Sequence, residues 1–353
     1  MTEAADTGRS LPAAIGIKAL RIDEVASLVN ELGQPRFRAA QLVRWLYARG
    51  ACSFDEMSDL PAGLRATLGD RFALPCPEVI ERQVSSDGTR KYLLRLADGA
   101  TVETVGLPSG DRLTVCFSTQ AGCGMGCSFC ATGAAGLVRD LGPGEMVDQL
   151  RVVADDFGAR VTNAVAMGQG EPFANYAATL GALRIMNSKD GLEIGARHLT
   201  VSTCGLIQGI RRFSSEPEQF TLAVSLHSAI QATRDRLMPG VRGLPLDQLR
   251  AALAEYASTT GRRPSLEYAL IAGITDAPEE LAALVEYCRG LHVHVNLIPI
   301  NPVQGTGFSR ATSARAEEFV VELGRAGTEA SVRAERGADI DAACGQLKQR
   351  SDS

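Results

Sequence analysis

The sequence predicts an α/β fold: an open, partial (β/α)6 barrel preceded by a small helical module and a short antiparallel β linker. Three observations carry this. Apolar residues recur at helical spacing near the start, Asp-Gly pairs then separate extended runs, and from Arg112 short apolar runs alternate with helical stretches.

Residues 1–16 read as a loose tail. Ile22, Val25, Leu28, Val29 and Leu32 then follow a helical period, and Gly33 is placed to end that helix. A second helix is expected over Ala39–Arg49. Ser53 and Glu56 have capping-box spacing, and Pro61 with Leu64–Leu68 suggests one more helix. Val79–Ser85, Arg90–Leu96 and Ala100–Leu107 read as strands, joined by Ser86-Asp87-Gly88 and Ala97-Asp98-Gly99. Beyond them, strands are expected at Leu113–Ser118, Ala164–Met167, Leu199–Thr203, Thr221–Leu226, Leu266–Leu270 and Val293–Ile298. Helices are expected at Gly144–Asp156, Tyr176–Met186, Ile207–Phe213, Leu246–Thr259, Pro278–Leu291 and Ser313–Ala326. Repeated strand–helix units give a parallel sheet, whose active site sits at the C-terminal strand ends. The units divide as a helical module (1–75), a β linker (76–110), a barrel (111–330) and a C-terminal segment (331–353).

Composition narrows the class. The chain has 353 residues, 45% of them hydrophobic, which is ordinary globular material. It contains no apolar run long enough to span a membrane and no basic-then-apolar start, so no membrane partner and a cytosolic location are expected. In a reducing compartment the nine cysteines point to metal or redox roles rather than a disulfide framework. The net charge of −5, from 36 basic and 41 acidic residues, neither supports nor excludes a nucleic-acid partner.

The strongest signal is Cys123-x3-Cys127-x2-Cys130 within GCGMGCSFCATG, directly after a strand. Three thiolates among small residues can wrap one inorganic cluster and leave one iron of a four-iron cluster open. The alternative, structural zinc, needs a fourth ligand, and no second Cys-x2-Cys pair exists. The spacing matches the cluster motif of radical-SAM enzymes, in which S-adenosylmethionine (SAM) chelates the open iron. One electron then cleaves its sulfonium to give a 5′-deoxyadenosyl radical.

Short polar groups stand at the other strand ends. Met167-Gly168-Gln169-Gly170-Glu171-Pro172 offers glycines for close backbone approach and one carboxylate. Its bland alternative is a plain strand-to-helix turn. Ser202, the run Ser225-Leu226-His227, and Asn301 supply further polar groups on the same face. Each alone would read as a loop residue satisfying backbone; their convergence points to a SAM site. His227 suits either the carboxylate or the ribose.

Of the remaining cysteines, Cys52, Cys76, Cys204 and Cys288 are expected to be buried and inert. Cys116 lies in the first barrel strand. Cys344 sits among small residues, in a segment expected to be mobile and to carry a thiol into the barrel mouth.

The stretches VETVGLP, CFSTQAGCGMGCSFCATG, GEMVDQ, MGQGEP, VSTCG, VSLHS, NLIPINP and RGADIDAACGQL run in order from Glu103 to Leu347. With QPRFRAAQLVRWLYARG and SFDEMSDLP they resemble the RlmN/Cfr family of radical-SAM adenosine RNA methyltransferases, closest to the dual-specificity C2-methylating type. Gln169 and the segment PVQGTGFSR differ from the usual family pattern. The resemblance implies that Cys123, Cys127 and Cys130 hold one [4Fe–4S] cluster. It implies SAM contacts from Gly170, Glu171, Ser202, Ser225, Leu226, His227 and Asn301. It makes Cys344 the methyl carrier, Cys116 the cysteine that closes a disulfide with it, and Glu103 a proton acceptor. The expected substrate is rRNA, with tRNA a further candidate; the expected electron donor is flavodoxin or ferredoxin; a monomer is expected.

The chemistry explains the machinery. C2 of adenine is electron-poor and does not attack a methyl sulfonium, whereas a thiolate does. Cys344 would take a methyl group from one SAM, and a radical made from a second would activate that methyl for addition to the ring. Either Glu103 or Cys116 would then remove the ring proton. Arg36, Arg38, Arg44 and Arg49 interleaved with Phe37, Trp45 and Tyr47 suit phosphate contact and base stacking, or a solvated face over a core. Arg211, Arg212, Arg262, Arg263, Lys348 and Arg350 are further RNA-contact candidates. The competing readings are a C8-methylating enzyme conferring antibiotic resistance, a radical-SAM enzyme acting on protein or metabolites, and a non-catalytic zinc-binding RNA protein.

Overall fold

The computed structural model describes residues 16–301, 307–342 and 345–347. The first module is helical: α1 (Ile22–Glu31), α2 (Phe37–Val43), a π-helical turn over 44–48, and α3 (Ala62–Arg71). Gly33 takes a left-handed φ of 67° just beyond α1, as its position predicts. The Ser53 hydroxyl accepts from the Asp55 N–H, but the Glu56 carboxylate accepts from Cys52 N–H rather than closing a box on Ser53.

Three antiparallel strands follow, β1 (Glu78–Val84), β2 (Arg90–Arg95) and β3 (Thr101–Ser109), and β3 turns back into β4 (Arg112–Cys116). A small hairpin, β5 (Gln120–Gly122) and β6 (Leu137–Asp140), brackets the cysteine triplet and the short α4 (Ala131–Ala135). The chain then alternates: α5 (Pro143–Phe157), β7 (Asn163–Ala166), α6 (Tyr176–Asn187), β8 (Leu199–Thr203), α7 (Ile207–Ser214), β9 (Thr221–Ser225). After α8 (Gln231–Leu237) and α9 (Leu246–Thr260) come β10 (Ser265–Leu270), α10 (Pro278–Cys288), β11 (His294–Pro299), α11 (Ser313–Arg325) and β12 (Glu329–Val332).

Ten of these strands form one sheet among the described residues, in the order β1-β2-β3-β4-β7-β8-β9-β10-β11-β12. From β4 onward all pairing is parallel. The expected partial barrel is present, and β12 extends it by one strand that the sequence pattern had not marked. The linker strands are continuous with the barrel sheet, because β3 pairs with both β2 and β4.

Local chemistry sets the helix ends. In α5, Pro143 occupies the first turn, the Glu145 carboxylate accepts from Gly142 N–H at 2.8 Å, and Gly158 closes the helix in the left-handed region. Burial in the sheet alternates where one face meets helices: in β4, Leu113 and Val115 are buried in the core while Thr114 and Cys116 face the other way.

The helical module docks on α5 through a buried ion pair. Lys18 Nζ lies 2.8 Å from Asp148 Oδ1, with both side chains almost fully enclosed. Gly144 permits this approach, since a Cβ there would lie 2.3 Å from Lys18 Cβ. Burial pushes the Asp148 carboxyl up to about 6, against the pull of the Lys18 ammonium.

One sequence expectation is corrected here. Cys52 and Cys76 are not buried thiols: Cys52 is exposed, Cys76 half-buried, and the two form a disulfide with Cα atoms 5.8 Å apart. They are 24 residues apart in sequence, and only the return of the chain after α3 brings them together. Tyr47 is core, 1% exposed, in line with the reading of that stretch as a solvated face over a core. Cys204 and Cys288 are buried as expected.

Removing one partner of the module's ion pair strands a buried charge. Lys18→Met should destabilise the protein by about 3–5 kcal/mol in urea unfolding. The double replacement Lys18→Met with Asp148→Leu should recover most of that loss; equal loss in both variants would deny the pair its role.

Candidate active site

The C-terminal ends of β4 and β7 are bound to each other through their exit loops. Gly168 N–H donates to Phe117 O at 3.0 Å, Thr119 N–H donates to Gln169 O at 2.8 Å, and Gln169 N–H donates to the Ser118 hydroxyl at 2.9 Å. These contacts need glycine. A Cβ on Gly168 would fall 2.7 Å from Ser118 Oγ, and Gly170 combines a φ of 102° with a Cβ position 2.6 Å from Gln120 Cβ. The loops therefore bring the triplet region and the Gly-Gln-Gly-Glu turn onto one face.

That face holds a cavity of about 1010 Å³, counting space open to solvent. Cys123, Cys127, Cys130, Gly170, Glu171, Ser202, Ser225 and His227 all line it, from four loops and strand ends. Leu226 lines neither this cavity nor its neighbour and is fully buried in the core. Thr203, Cys204, Glu267 and Arg333 also line the cavity but were not singled out from the sequence.

Electrostatics at this cavity are unusual. The Glu171 carboxylate accepts from Cys204 N–H at 2.7 Å and Phe173 N–H at 2.9 Å, yet burial still pushes it above the ordinary carboxyl range. His227 has a left-handed φ of 56° and accepts at Nδ1 from Ala269 N–H at 3.0 Å, which leaves its proton on Nε2. Burial, and secondly the Arg234 charge, lower its pKa to about 3, so the ring is neutral and Nε2–H is a donor. Burial likewise pushes the Cys127 thiol up to about 12.

A second cavity of about 850 Å³ shares Cys130, Met167, Gly168, Ile298 and Arg333 with the first. Cys116 lines it, opposite Val105 in the register of β3 and β4. Asn301 lines this cavity, not the first. Glu103 lies two residues before Val105 on the same strand face; it is buried, lines neither cavity, and sits 3.5 Å from Lys91 Nζ. Lys91 also donates to Asp341 O at 3.1 Å, tying β2 to the C-terminal segment.

Cys344 lies outside the described residues, but its flanks are anchored. Before it, the Asp339 carboxylate accepts from the Ser85 hydroxyl and Ser86 N–H, and Gly337 N–H donates to Asp87. After it, Gly345 O accepts from Ala131 N–H at 2.8 Å and Leu347 O accepts from the Thr132 hydroxyl at 2.7 Å. The described flanks are thus tied to the β1–β2 turn and to α4.

Residues 16–74 match the family described as the ribosomal RNA large subunit methyltransferase N-terminal domain, and residues 117–288 match the radical SAM superfamily. The probable dual-specificity RNA methyltransferase RlmN of Pelotomaculum thermopropionicum is 45% identical over 338 residues, covering 95% of this chain and 92% of that protein. This chain belongs to the RlmN family of radical-SAM methyltransferases. The corresponding RlmN of Gloeobacter violaceus is 46% identical over 93% of this chain and 94% of its own length. A radical SAM methyltransferase from Sphaerobacter thermophilus superposes with a TM-score of 0.88, at 43% identity, over 94% of this chain and 99% of that one.

Membership in the RlmN family brings two cofactors, one [4Fe–4S] cluster and SAM. The donor set fits them. Three cysteines share one cavity wall, while among the described residues no three His, Cys, Asp or Glu side chains converge on a single metal position. Such an arrangement suits a polynuclear cluster better than one zinc ion.

A methyl group at Gly170 would meet Gln120, whose amide oxygen accepts from Glu171 N–H. Gly170→Ala should therefore cost roughly 1–3 kcal/mol in stability and weaken SAM binding measured by equilibrium dialysis. Unchanged SAM affinity would detach this turn from the cofactor site.

Proposed function

We propose that this chain methylates C2 of an adenosine in large-subunit ribosomal RNA, with tRNA as a second substrate, by way of a methyl group carried on Cys344. The supporting observation is the pair of cavities joined at Cys130. One carries the cysteine triplet, the other Cys116, and Ala342 and Gly345 beside Cys344 line the latter. The relatives' dual specificity for RNA supports the two substrates.

In this reading Cys123, Cys127 and Cys130 hold the cluster. Gly170, Glu171, Ser202, Ser225 and His227 seat SAM, with the main chain at Leu226 contributing and Asn301 reaching from the adjoining wall. When bound, the cofactors supply one-electron cleavage of a sulfonium. The protein supplies everything else. The Cys344 thiolate accepts the methyl group, and its S-methyl group then gives up hydrogen and bonds to the ring carbon. Either Cys116, which lines the second cavity, or Glu103, buried beside Lys91, takes the ring proton. The adduct would return its odd electron to the cluster; the Cys116 thiolate then attacks the sulfur of Cys344, the C–S electron pair passes to the methylene carbon, which takes up a proton, and a disulfide closes as the methylated base leaves; an external thiol resets the pair. The electron donor is a flavodoxin- or ferredoxin-type protein, and the enzyme works as a cytosolic monomer.

The base has to leave its stack to enter the cavity. Arg310, Arg333 and Arg336 line the Cys116 side and suit the phosphates flanking a splayed nucleotide. In the helical module, Phe37 is 57% exposed with Arg38 stacked over its ring, a platform of the kind that binds unpaired bases. Arg44 and Arg49 pair with Asp190 and Asp59, Arg211 and Arg263 with Glu255 and Glu329, and Arg262 with Phe220 O, as Arg310, Arg333 and Arg336 themselves pair with Glu335, Glu267 and Asp87. Arg212 stacks on Tyr176; Lys348 and Arg350 lie outside the described residues.

Cys116→Ala should accumulate a covalent RNA–protein adduct, seen as a slow band in denaturing gels, with turnover reduced at least about 100-fold. Cys344→Ala should abolish methylation yet still cleave SAM. Normal turnover by Cys116→Ala, or methylation mapped to C8 in the nucleoside product, would overturn the reading.

A further inference from the structure

Arg234 in α8 is fully buried, the largest fully enclosed side chain among the described residues. Its Nη2 donates to the Cys204 carbonyl at 2.6 Å, while Nε and Nη1 have no hydrogen-bond partner there. Gly205, with a φ of 98°, leaves the room: a Cβ would stand 3.0 Å from Nη2. The neighbouring Asp235 carboxylate is engaged by Gln231 and by Gly243 N–H. A guanidinium sealed from water without a paired carboxylate is strongly unfavourable unless negative charge arrives from elsewhere.

One built source of such charge nearby is the cysteine loop. Ser128 N–H donates to Leu237 O at 2.9 Å and Gly240 N–H to Met125 O at 2.8 Å, so the loop rests on the end of α8 and the turn after it. Cys204, whose carbonyl holds the guanidinium, has its Sγ 3.4 Å from Met125 Sδ. The charge of Arg234 is felt at Cys127 and at His227. Arg234 itself lines neither cavity.

We propose that Arg234 is the counter-charge for the reduced iron–sulfur cluster, a positioning residue that favours its reduction through space. The proposal rests on Cys123, Cys127 and Cys130 as the cluster ligands. One electron enters the cluster from an external one-electron reductant; no bond of the protein breaks and no proton moves. The site then carries one more negative charge, and a fixed cation at short range in a low-dielectric interior stabilises that state.

The test uses the full chain reconstituted anaerobically, with iron and sulfide assayed, titrated with titanium(III) citrate and read by electron paramagnetic resonance. Arg234→Met should carry its full cluster at a midpoint shifted to more negative potential, and Arg234→Lys should stay near the parent. A loaded Arg234→Met with an unshifted midpoint overturns the proposal. Thermal unfolding gives a second readout. Arg234→Met should lose part of the stabilisation gained on cluster loading without a matching loss in the cluster-free protein. An equal loss in both forms would reduce Arg234 to an anchor for the Cys204 carbonyl. Cluster loss in both the methionine and the lysine variants overturns it. Iron retained after replacing all three loop cysteines by serine would defeat the ligand reading instead, with the arginine variants left to report separately.

Discussion

Charge buried at the open end of a parallel sheet is the constraint around which this protein is organised. Glu171 and Arg234 are both enclosed, and both bind the main chain of one residue, Cys204. The N–H of Cys204 donates to the carboxylate, and the C=O of Cys204 accepts from the guanidinium. Among the described residues neither side chain has an opposite charge as its direct partner. Fixing two such groups requires loops that cannot drift, which explains the close glycine contacts at Gly168, Gly170 and Gly205. The result is a polar wall prepared before any ligand enters, the arrangement in which electrostatic effects are strongest.

The same rigidity joins the two halves of the chemistry. The exit loops of β4 and β7 set Cys130, Met167 and Gly168 as a partition between adjoining cavities. The two cavities therefore share a wall. The segment around Cys344 is held on both flanks, to the β1–β2 turn and to α4, so neither flank has to be found during each cycle.

Much of this was legible in the sequence, and the reasons are physical. The barrel strands and helices follow clean periodicities, and most observed bounds fall within one to three residues of the expected ones. The cysteine triplet, Glu171, Ser202, Ser225 and His227 stand at strand ends, where topology forces them onto one face. What sequence could not give depends on contacts between distant segments. Lys91 is an ordinary strand lysine until the fold places it between Glu103 and Asp341. Arg234 looks like a surface helix residue, since charged side chains seldom lie in a core. The Cys52–Cys76 pairing requires knowing that the chain returns after α3. The hairpin of β5 and β6 is too short to leave a period, and β12 is only four residues long.

The central claim is that a cluster held by three loop cysteines keeps one iron open for SAM. The most direct measurement is electron–nuclear double resonance on the anaerobically reduced protein with SAM labelled at its amino nitrogen and carboxylate oxygen. The account predicts hyperfine coupling from both labels to the cluster. A fully loaded cluster showing coupling to neither would contradict it.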